Sequence, residues 1–209
     1  MSNKASRLQL VWIVSGPSGS GKTTLCEALL KEDFWSKRLQ RSISYTTRPA
    51  RPGEQDGKDY HFISEKKFLA LKKKNAFLEQ EKIFDFYYGT PKKAVIDAKR
   101  LGKDVLLCID VKGAREVKKT LKKNTVSVFV VAPALNALVE RLQKRSTENK
   151  KDIEKRVSRV KMELSYASDY DYIIVNDNFR EALNKIKAVL TAKRCEGEHV
   201  LYSIGKIDR

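Results

Sequence analysis

Long hydrophobic runs are missing from this 209-residue chain, and no apolar stretch approaches the ~20 residues that would span a bilayer. The first residues, Met-Ser-Asn-Lys-Ala-Ser-Arg, lack the apolar segment and small-residue cleavage site of a secretory signal. A soluble, cytoplasmic protein with no membrane partner is therefore expected. Cysteine is scarce: Cys26, Cys108 and Cys195 are far apart, odd in number and without a C-x-x-C pair, so no complete disulfide set is available. Histidine is scarcer, with His61 and His199 alone. That argues against zinc sites built from Cys and His, and against Cys–His or Ser–His catalytic pairs. Chemistry is left to Lys, Arg, carboxylates, backbone amides and a bound metal.

Negative charge is also in short supply, with 26 Asp+Glu against 43 Lys+Arg and a formal net charge of +17. A surface this basic attracts nucleic acid, acidic lipid and small phosphorylated ligands alike. Runs such as Lys72-Lys73-Lys74 and Lys118-Lys119-Thr120-Leu121-Lys122-Lys123 read as solvated helix faces. No RNA-recognition, zinc-finger or KH signature is present, so no specific nucleic-acid partner is expected. Hydrophobic residues at 41% and charged residues at 33% permit one packed domain of medium size.

Short, almost continuously apolar segments at Leu8 to Ser15, Asp104 to Asp110, Thr125 to Ala132 and Tyr172 to Val175 have the character of strands buried on both faces. Helical patterns separate them at Thr24 to Lys31, Pro91 to Leu101, Gly113 to Leu121, Ala134 to Lys144 and Phe179 to Ala192. This alternation predicts an α/β fold with a parallel sheet flanked by helices. Two stretches interrupt it. Residues 41–90 turn Pro/Gly-rich and then aromatic, which predicts an inserted lobe of short, partly antiparallel strands. From about Leu135 to Ser168 a charged helical hairpin is expected, with Ile153, Val157, Val160 and Leu164 forming the apolar stripe of its second arm. Arg141 and Arg145, four apart, share a face of the first arm. The tail from Cys195 to Arg209 carries no readable motif.

Gly16-Pro17-Ser18-Gly19-Ser20-Gly21-Lys22-Thr23 fits G-x-x-x-x-G-K-[ST] between a strand and a helix, the context its mechanism demands. Backbone amides converge there on phosphate oxygens at a helix N-terminus. Lys22 can reach the β- and γ-phosphates of a nucleoside triphosphate, and the Thr23 hydroxyl can ligate Mg²⁺. Hydrolases, switches, motors and kinases all use this loop, so it does not name the reaction.

The inserted lobe is more specific. Ser44-Tyr45-Thr46-Thr47-Arg48-Pro49-Ala50-Arg51-Pro52-Gly53-Glu54, Gly57-Lys58-Asp59-Tyr60-His61-Phe62, Phe77-Leu78-Glu79 and Tyr87-Tyr88-Gly89-Thr90 follow one another in order. Ile109-Asp110-Val111-Lys112-Gly113-Ala114 and Ile174-Val175-Asn176-Asp177 continue the series. Together with the phosphate loop, these motifs resemble guanylate kinases over about residues 9 to 192. The resemblance implies a P-loop kinase core (1–40, 91–134 and 169–194), a GMP-binding lobe (41–90), a helical lid (135–168) and a tail (195–209). It implies ATP, GMP and dGMP as small-molecule partners and Mg²⁺ as cofactor, and leaves the oligomeric state open.

The resemblance assigns Gly16 to Thr23, with Thr24 and Asn176, to ATP, and Thr23 to the metal. Ser44, Arg48, Arg51, Tyr60, Glu79, Tyr88, Gly89, Thr90 and Asp110 fall to GMP, and Lys22, Arg48, Arg141, Arg145 and Arg156 to catalysis. Physical chemistry supports the acceptor set. Arg48 and Arg51 match phosphate oxygens bidentately, with Tyr60 and Tyr88 hydroxyls beside them. An ionised Glu79 accepts from guanine N1–H and its 2-amino group, leaving the Ser44 and Thr90 hydroxyls for O6 and N7. Adenine reverses the pattern at that edge and leaves buried groups unpaired, at about 1–3 kcal/mol each. The acceptor phosphate is already anionic, so no strong general base is needed. The lid arginines would close over the phosphates and exclude water.

Two positions depart from the family pattern. Cys108 stands where the first carboxylate of an Asp-x-Asp pair ending in Asp110 is usual, and Lys112 stands where Gln is common. A shifted Mg²⁺ or nucleotide affinity is expected, with Lys112 adding positive charge nearby. A guanylate-kinase-like scaffold module, a kinase for another phosphorylated acceptor and a nucleic-acid binder are the alternative readings.

Overall fold

The computed structural model describes residues 9–83, 85–134, 158 and 160–203. Strand β1 (Val11–Ser15) is buried along its whole length, as its unbroken apolar sequence requires of a strand covered on both sides. It lies in the middle of a five-stranded sheet ordered β2–β7–β1–β8–β9. The other strands are β2 (Leu39–Arg41), β7 (Asp104–Cys108), β8 (Thr125–Val131) and β9 (Tyr172–Val175), each paired in parallel with the next in the sheet order, so that β7 and β8 flank β1.

The two faces of β1 serve separate cores. Trp12 and Val14 pack with Leu25, Cys26 and Leu29 of α1 (Lys22–Lys31), and with Ala182, Ile186 and Leu190 of a long helix at Phe179–Arg194. Val11 and Ile13 pack on the other side with Val105 and Leu107, beneath helices at Lys92–Arg100 and Val111–Leu121. This period of two is the strand repeat itself. A polar staple closes the first core: Asp104 accepts from Leu10 N and Trp12 Nε1, each at 3.0 Å, and pairs with Arg194 from the long helix.

The lobe is a second sheet ordered β4–β3–β6–β5, from β3 (Tyr45–Thr46), β4 (His61–Phe62), β5 (Phe77–Ile83) and β6 (Phe86–Pro91). Only the β3–β4 pair is parallel. Helix α3 (Glu65–Lys73) covers it, capped by the Ser64 side chain. The fully buried Phe68 ring stacks on Phe77 and Tyr87 at 4.6 and 5.3 Å between centroids. The lobe's aromatics are thus largely its own core.

The predicted strands and the helices predicted at Thr24 to Lys31, Pro91 to Leu101, Gly113 to Leu121 and Phe179 to Ala192 are present, with ends shifted by a few residues, while all but the first residue of the helix predicted at Ala134 to Lys144 lies outside the described residues. The helix at 92–100 is called α4, that at 111–121 α5 and that at 179–194 α6. Three further helices carry no strong sequence signal: α2 (Asp33–Ser36), α3, and α7 (Gly197–Ser203) in the tail. Of the predicted hairpin, Arg141, Arg145, Arg156, Ile153 and Val157 lie outside the described residues. Val160 and Leu164 pack on Ala132, as the amphipathic spacing requires. No helix among the described residues is long and apolar enough to cross a membrane.

Candidate active site

The loop between β1 and α1 has the backbone the glycines were expected to allow. Gly21 precedes the helix at φ 86°, and a Cβ there would lie 2.3 Å from Asn176 Nδ2. At Gly16 a Cβ would strike the Val130 carbonyl at 2.0 Å. The Asn176 side chain donates to the Ser20 carbonyl at 2.7 Å, and its own amide donates to Val131 O at 2.7 Å. Asn176, assigned by resemblance to ATP, is therefore buried against the loop and ties it to the end of β8. Lys22 starts α1 and donates from Nζ to the Pro17 carbonyl at 3.3 Å. Ser18, Thr23 and Thr24 are exposed on the loop and the first helical turn.

In the lobe, one carboxylate organises both arginines. Glu54 Oε1 accepts from Arg48 Nη2 at 2.8 Å, and Oε2 accepts from the Arg51 amide at 2.7 Å. Burial would raise the Glu54 carboxyl, but the Arg48 hydrogen bond, the Arg51 amide and both positive charges hold it below the usual range. The Arg48 guanidinium stands 5.6 and 5.8 Å from the Tyr60 and Phe62 ring centroids. Tyr60 and Tyr88 meet edge to face at 5.9 Å. Burial pushes the Tyr60 phenol to about 12, with Cys108 and Tyr88 adding to the rise and Arg48 opposing it.

Glu79 occupies the other end of the lobe. It is 8% exposed, and its Oε1 accepts from Thr90 Oγ1 at 2.5 Å. Ser44 Oγ lies 3.4 Å from that Thr90 hydroxyl. The Thr90 proton is thus committed to Glu79, so Thr90 fixes the carboxyl in place rather than offering a donor to a base. Gly113, near the start of α5, lets the helix approach: a Cβ there would sit 2.8 Å from Glu79 Oε2 and 3.2 Å from Asp110 Oδ1. Asp110 caps α5, accepting from Gly113 N at 2.7 Å. Glu79 was expected to be ionised. Burial instead pushes it to about 7, with Asp110 and Glu81 adding to the rise and the Thr90 hydrogen bonds opposing it. Gly89 pairs with Tyr45 across the lobe sheet, and a Cβ there would meet the Phe77 ring at 2.9 Å.

Cys108 ends β7 with its Sγ 3.8 Å from Thr23 Oγ. It also shares a side-chain hydrogen bond with Cys26. That bond pulls the Cys108 thiol down, aided by Lys22, Thr23 and Arg41, whereas Cys26 is pushed up by the same bond and by its burial. Lys112 does not add loose positive charge near the phosphates, because its Nζ pairs with Glu81 of β5 at 3.1 Å and clasps core to lobe.

Glu54 and Gly113 are the functional positions that residue-by-residue reasoning missed. Both sit inside the quoted motifs, where an Arg-x₅-Glu spacing and a glycine in a helix's first turn are the available signals. Among the described residues no group of three or more His, Cys, Asp or Glu could hold a metal ion. The exposed Thr23 hydroxyl fits Mg²⁺ in another way, since this ion keeps several waters and binds through few protein oxygens plus substrate phosphates.

Thr23, Cys108, Asp110, Glu79, Thr90 and Ser44 thus form one continuous wall from the phosphate loop to the lobe. The guanylate kinase family model matches residues 9–193. The chain belongs to the guanylate kinase family. A guanylate kinase of Rickettsia typhi is 44% identical over 187 residues, covering 90% of this chain and 93% of that protein. One from Caldanaerobacter subterraneus subsp. tengcongensis is 43% identical over 186 residues, covering 89% and 88%. The crystal structure of guanylate kinase from Anaplasma phagocytophilum superposes with a TM-score of 0.75 at 28% identity, covering 97% of this chain and 98% of that one. Cys108 and Lys112 both lie within the residues the family model matches.

Proposed function

We propose that the chain transfers the γ-phosphoryl group of ATP to GMP, and to dGMP, giving ADP and GDP or dGDP. An oxygen of the acceptor phosphate attacks the γ-phosphorus, and the bond from the γ-phosphorus to the β-bridging oxygen breaks as ADP leaves. Catalysis rests on alignment and on quenching charge. Gly16 to Thr24 cradle the triphosphate, with Asn176 holding the cradle in shape. Arg48 and Arg51, preset by Glu54, grip the acceptor phosphate with Tyr60 and Tyr88. Glu79 and Asp110 take the guanine edge, within a wall completed by Ser44, Gly89 and Thr90. Lys22 and Arg48 neutralise the transferring group, and Arg141, Arg145 and Arg156 complete that role from the lid. Thr23, together with the nucleotide phosphates, would hold Mg²⁺, which would supply charge neutralisation there. Residues 41–90 act as the acceptor lobe and 135–168 as the lid of an enzyme working in the cytoplasm.

The observation that supports this reading is that Glu54 presets Arg48 and the Arg51 backbone beside the Tyr60 ring in the lobe, while the phosphate loop's Thr23 meets the end of β7 at Cys108. A scaffold role is not favoured, because Lys22, Arg48, Arg51 and Glu79 are all present. The test is a coupled ADP-release assay offering GMP, dGMP, AMP, UMP and CMP in turn. GMP should be clearly preferred, dGMP tolerated and AMP very poor; equal rates on AMP and GMP would remove the Glu79 assignment.

A further inference from the structure

We infer that Lys112 is a positioning residue for guanine recognition, its ion pair with Glu81 holding Glu79 of the lobe in register with Asp110 of the core. The inference rests on reading Glu79 and Asp110 as the groups that take the guanine edge. They come from separate parts of the molecule: Glu79 from β5, the edge strand of the lobe sheet, and Asp110 from the cap of α5. One base meets both only while β5 and the first turn of α5 lie side by side. Gly113 permits that approach, since a Cβ there would sit 2.8 Å from Glu79 Oε2, but a glycine has no side chain to hold it. Lys112, the residue before it, does hold it: its Nζ donates to Glu81 Oε1 at 3.1 Å. Glu81 and Glu79 are two apart and share a face of β5. The irregularity in the β5–β6 pairing falls between Phe77 and Glu79, and Glu79, Gln80 and Glu81 pair in regular succession with Thr90, Gly89 and Tyr88. Fixing Glu81 therefore fixes Glu79.

Charge gives the pair a second effect on the same group. Burial raises the Glu79 carboxyl, and Asp110 and Glu81 add to the rise. Lys112 is paired with one of those carboxylates. Arg115 and Glu116 of α5, which carry opposite charges, line the rest of the cleft with Tyr166. Removing the Lys112 charge should thus loosen the seam and leave Glu79 harder to ionise. The size is modest, because the Lys112 side chain is 50% exposed and solvent screens the pair. Each effect should be worth about threefold in GMP affinity. The first holds at every pH, and the second acts only where Glu79 titrates. The phosphate loop shares no residue with this seam, so affinity for ATP is the internal control.

The experiment compares the full chain with Lys112→Gln and Lys112→Arg by titration calorimetry with GMP. At pH 8.5, where Glu79 is largely ionised, Lys112→Gln should bind GMP about threefold more weakly than wild type. At pH 6 the deficit should widen to about tenfold, because a smaller share of its Glu79 is ionised. The GMP phosphate titrates alike in both measurements, so the ratio isolates the protein. Lys112→Arg, which keeps the charge, should stay within about twofold of wild type at both pH values. Affinity for a fluorescent ATP analogue should not change. In the ligand-free protein, amide hydrogen exchange of β5 and the first turn of α5 should quicken in Lys112→Gln and not in Lys112→Arg. The inference is overturned if Lys112→Gln binds GMP like wild type at both pH values, if the loss is shared by the ATP analogue, if Lys112→Arg is no better than Lys112→Gln, or if exchange is unchanged. The exchange measurement needs no nucleotide. A wild type that fails to bind GMP would count against the guanine reading, and exchange would still decide whether Lys112 holds the seam.

Discussion

Glu79 links guanine recognition to a proton. The free carboxyl titrates at about 7 instead of 4.5 because burial and Asp110 disfavour its charge, a preference for the neutral form of about 3 kcal/mol. Guanine presents two donors, which only the ionised carboxylate accepts together. Binding must therefore expel the proton: at pH 6.5 roughly three-quarters of the sites carry one. Near pH 6 only about one site in eleven is ready, so GMP affinity should be about tenfold weaker than well above pH 7. The assay is titration calorimetry at pH 6.5 in buffers of different ionisation heat, which counts protons released. The GMP phosphate releases some of its own, and Glu79→Gln isolates that share. Wild type should release more protons than Glu79→Gln by about three-quarters of a proton. At pH 8 the variant should bind GMP about thirtyfold more weakly, for a lost charged hydrogen bond of about 2 kcal/mol. Stability supplies a second check on sign. A carboxyl raised in the folded state contributes stability that is full below pH 4.5 and lost as pH rises toward about 7. Over that window the ligand-free wild type should lose stability relative to Glu79→Gln. Equal proton release by the two proteins would refute the reasoning.

Lys22→Ala should abolish turnover while leaving the thermal midpoint unchanged, because among the described residues its side chain bonds only the local Pro17 carbonyl; a large fall in midpoint would assign it a structural role. Glu54→Gln should raise KM for GMP about tenfold with little change in KM for ATP, since it releases both Arg48 and the Arg51 backbone. Asp104→Ala should cost about 3–5 kcal/mol in denaturant unfolding by stranding Arg194 and Trp12 Nε1. A loss below about 1 kcal/mol would show that water replaces the carboxylate.

The legible parts of the fold were those whose signal lies within a few residues. β1, β7 and β8 are buried on both faces, so their apolar runs announce them; β9, expected to be the same, is the edge strand and leaves Ile173 and Val175 exposed. The phosphate loop was readable because its glycines answer local demands, such as the left-handed backbone at Gly21. Helix α3 was not, since lysines fill both its ends and its place depends on one buried ring, Phe68, meeting strands formed later in the chain. In the site, the resemblance pointed to Glu79 but not to its protonation, which follows from burial and from the close approach of α5. Lys112 was legible as a charge and not as a clasp, because its partner Glu81 lies 31 positions away.

The strand order also constrains how the molecule can be made. Of this sheet's five strands the central one is made first, and its two hydrogen-bonding neighbours begin only at Asp104 and Thr125. Until those segments emerge, Trp12 and Ile13 have no sheet to enter, so the nascent chain must carry this fully buried strand unsheltered until Asp104 and the residues after it are made. Arrested translation products ending before β8 should therefore be the species that recruit chaperones.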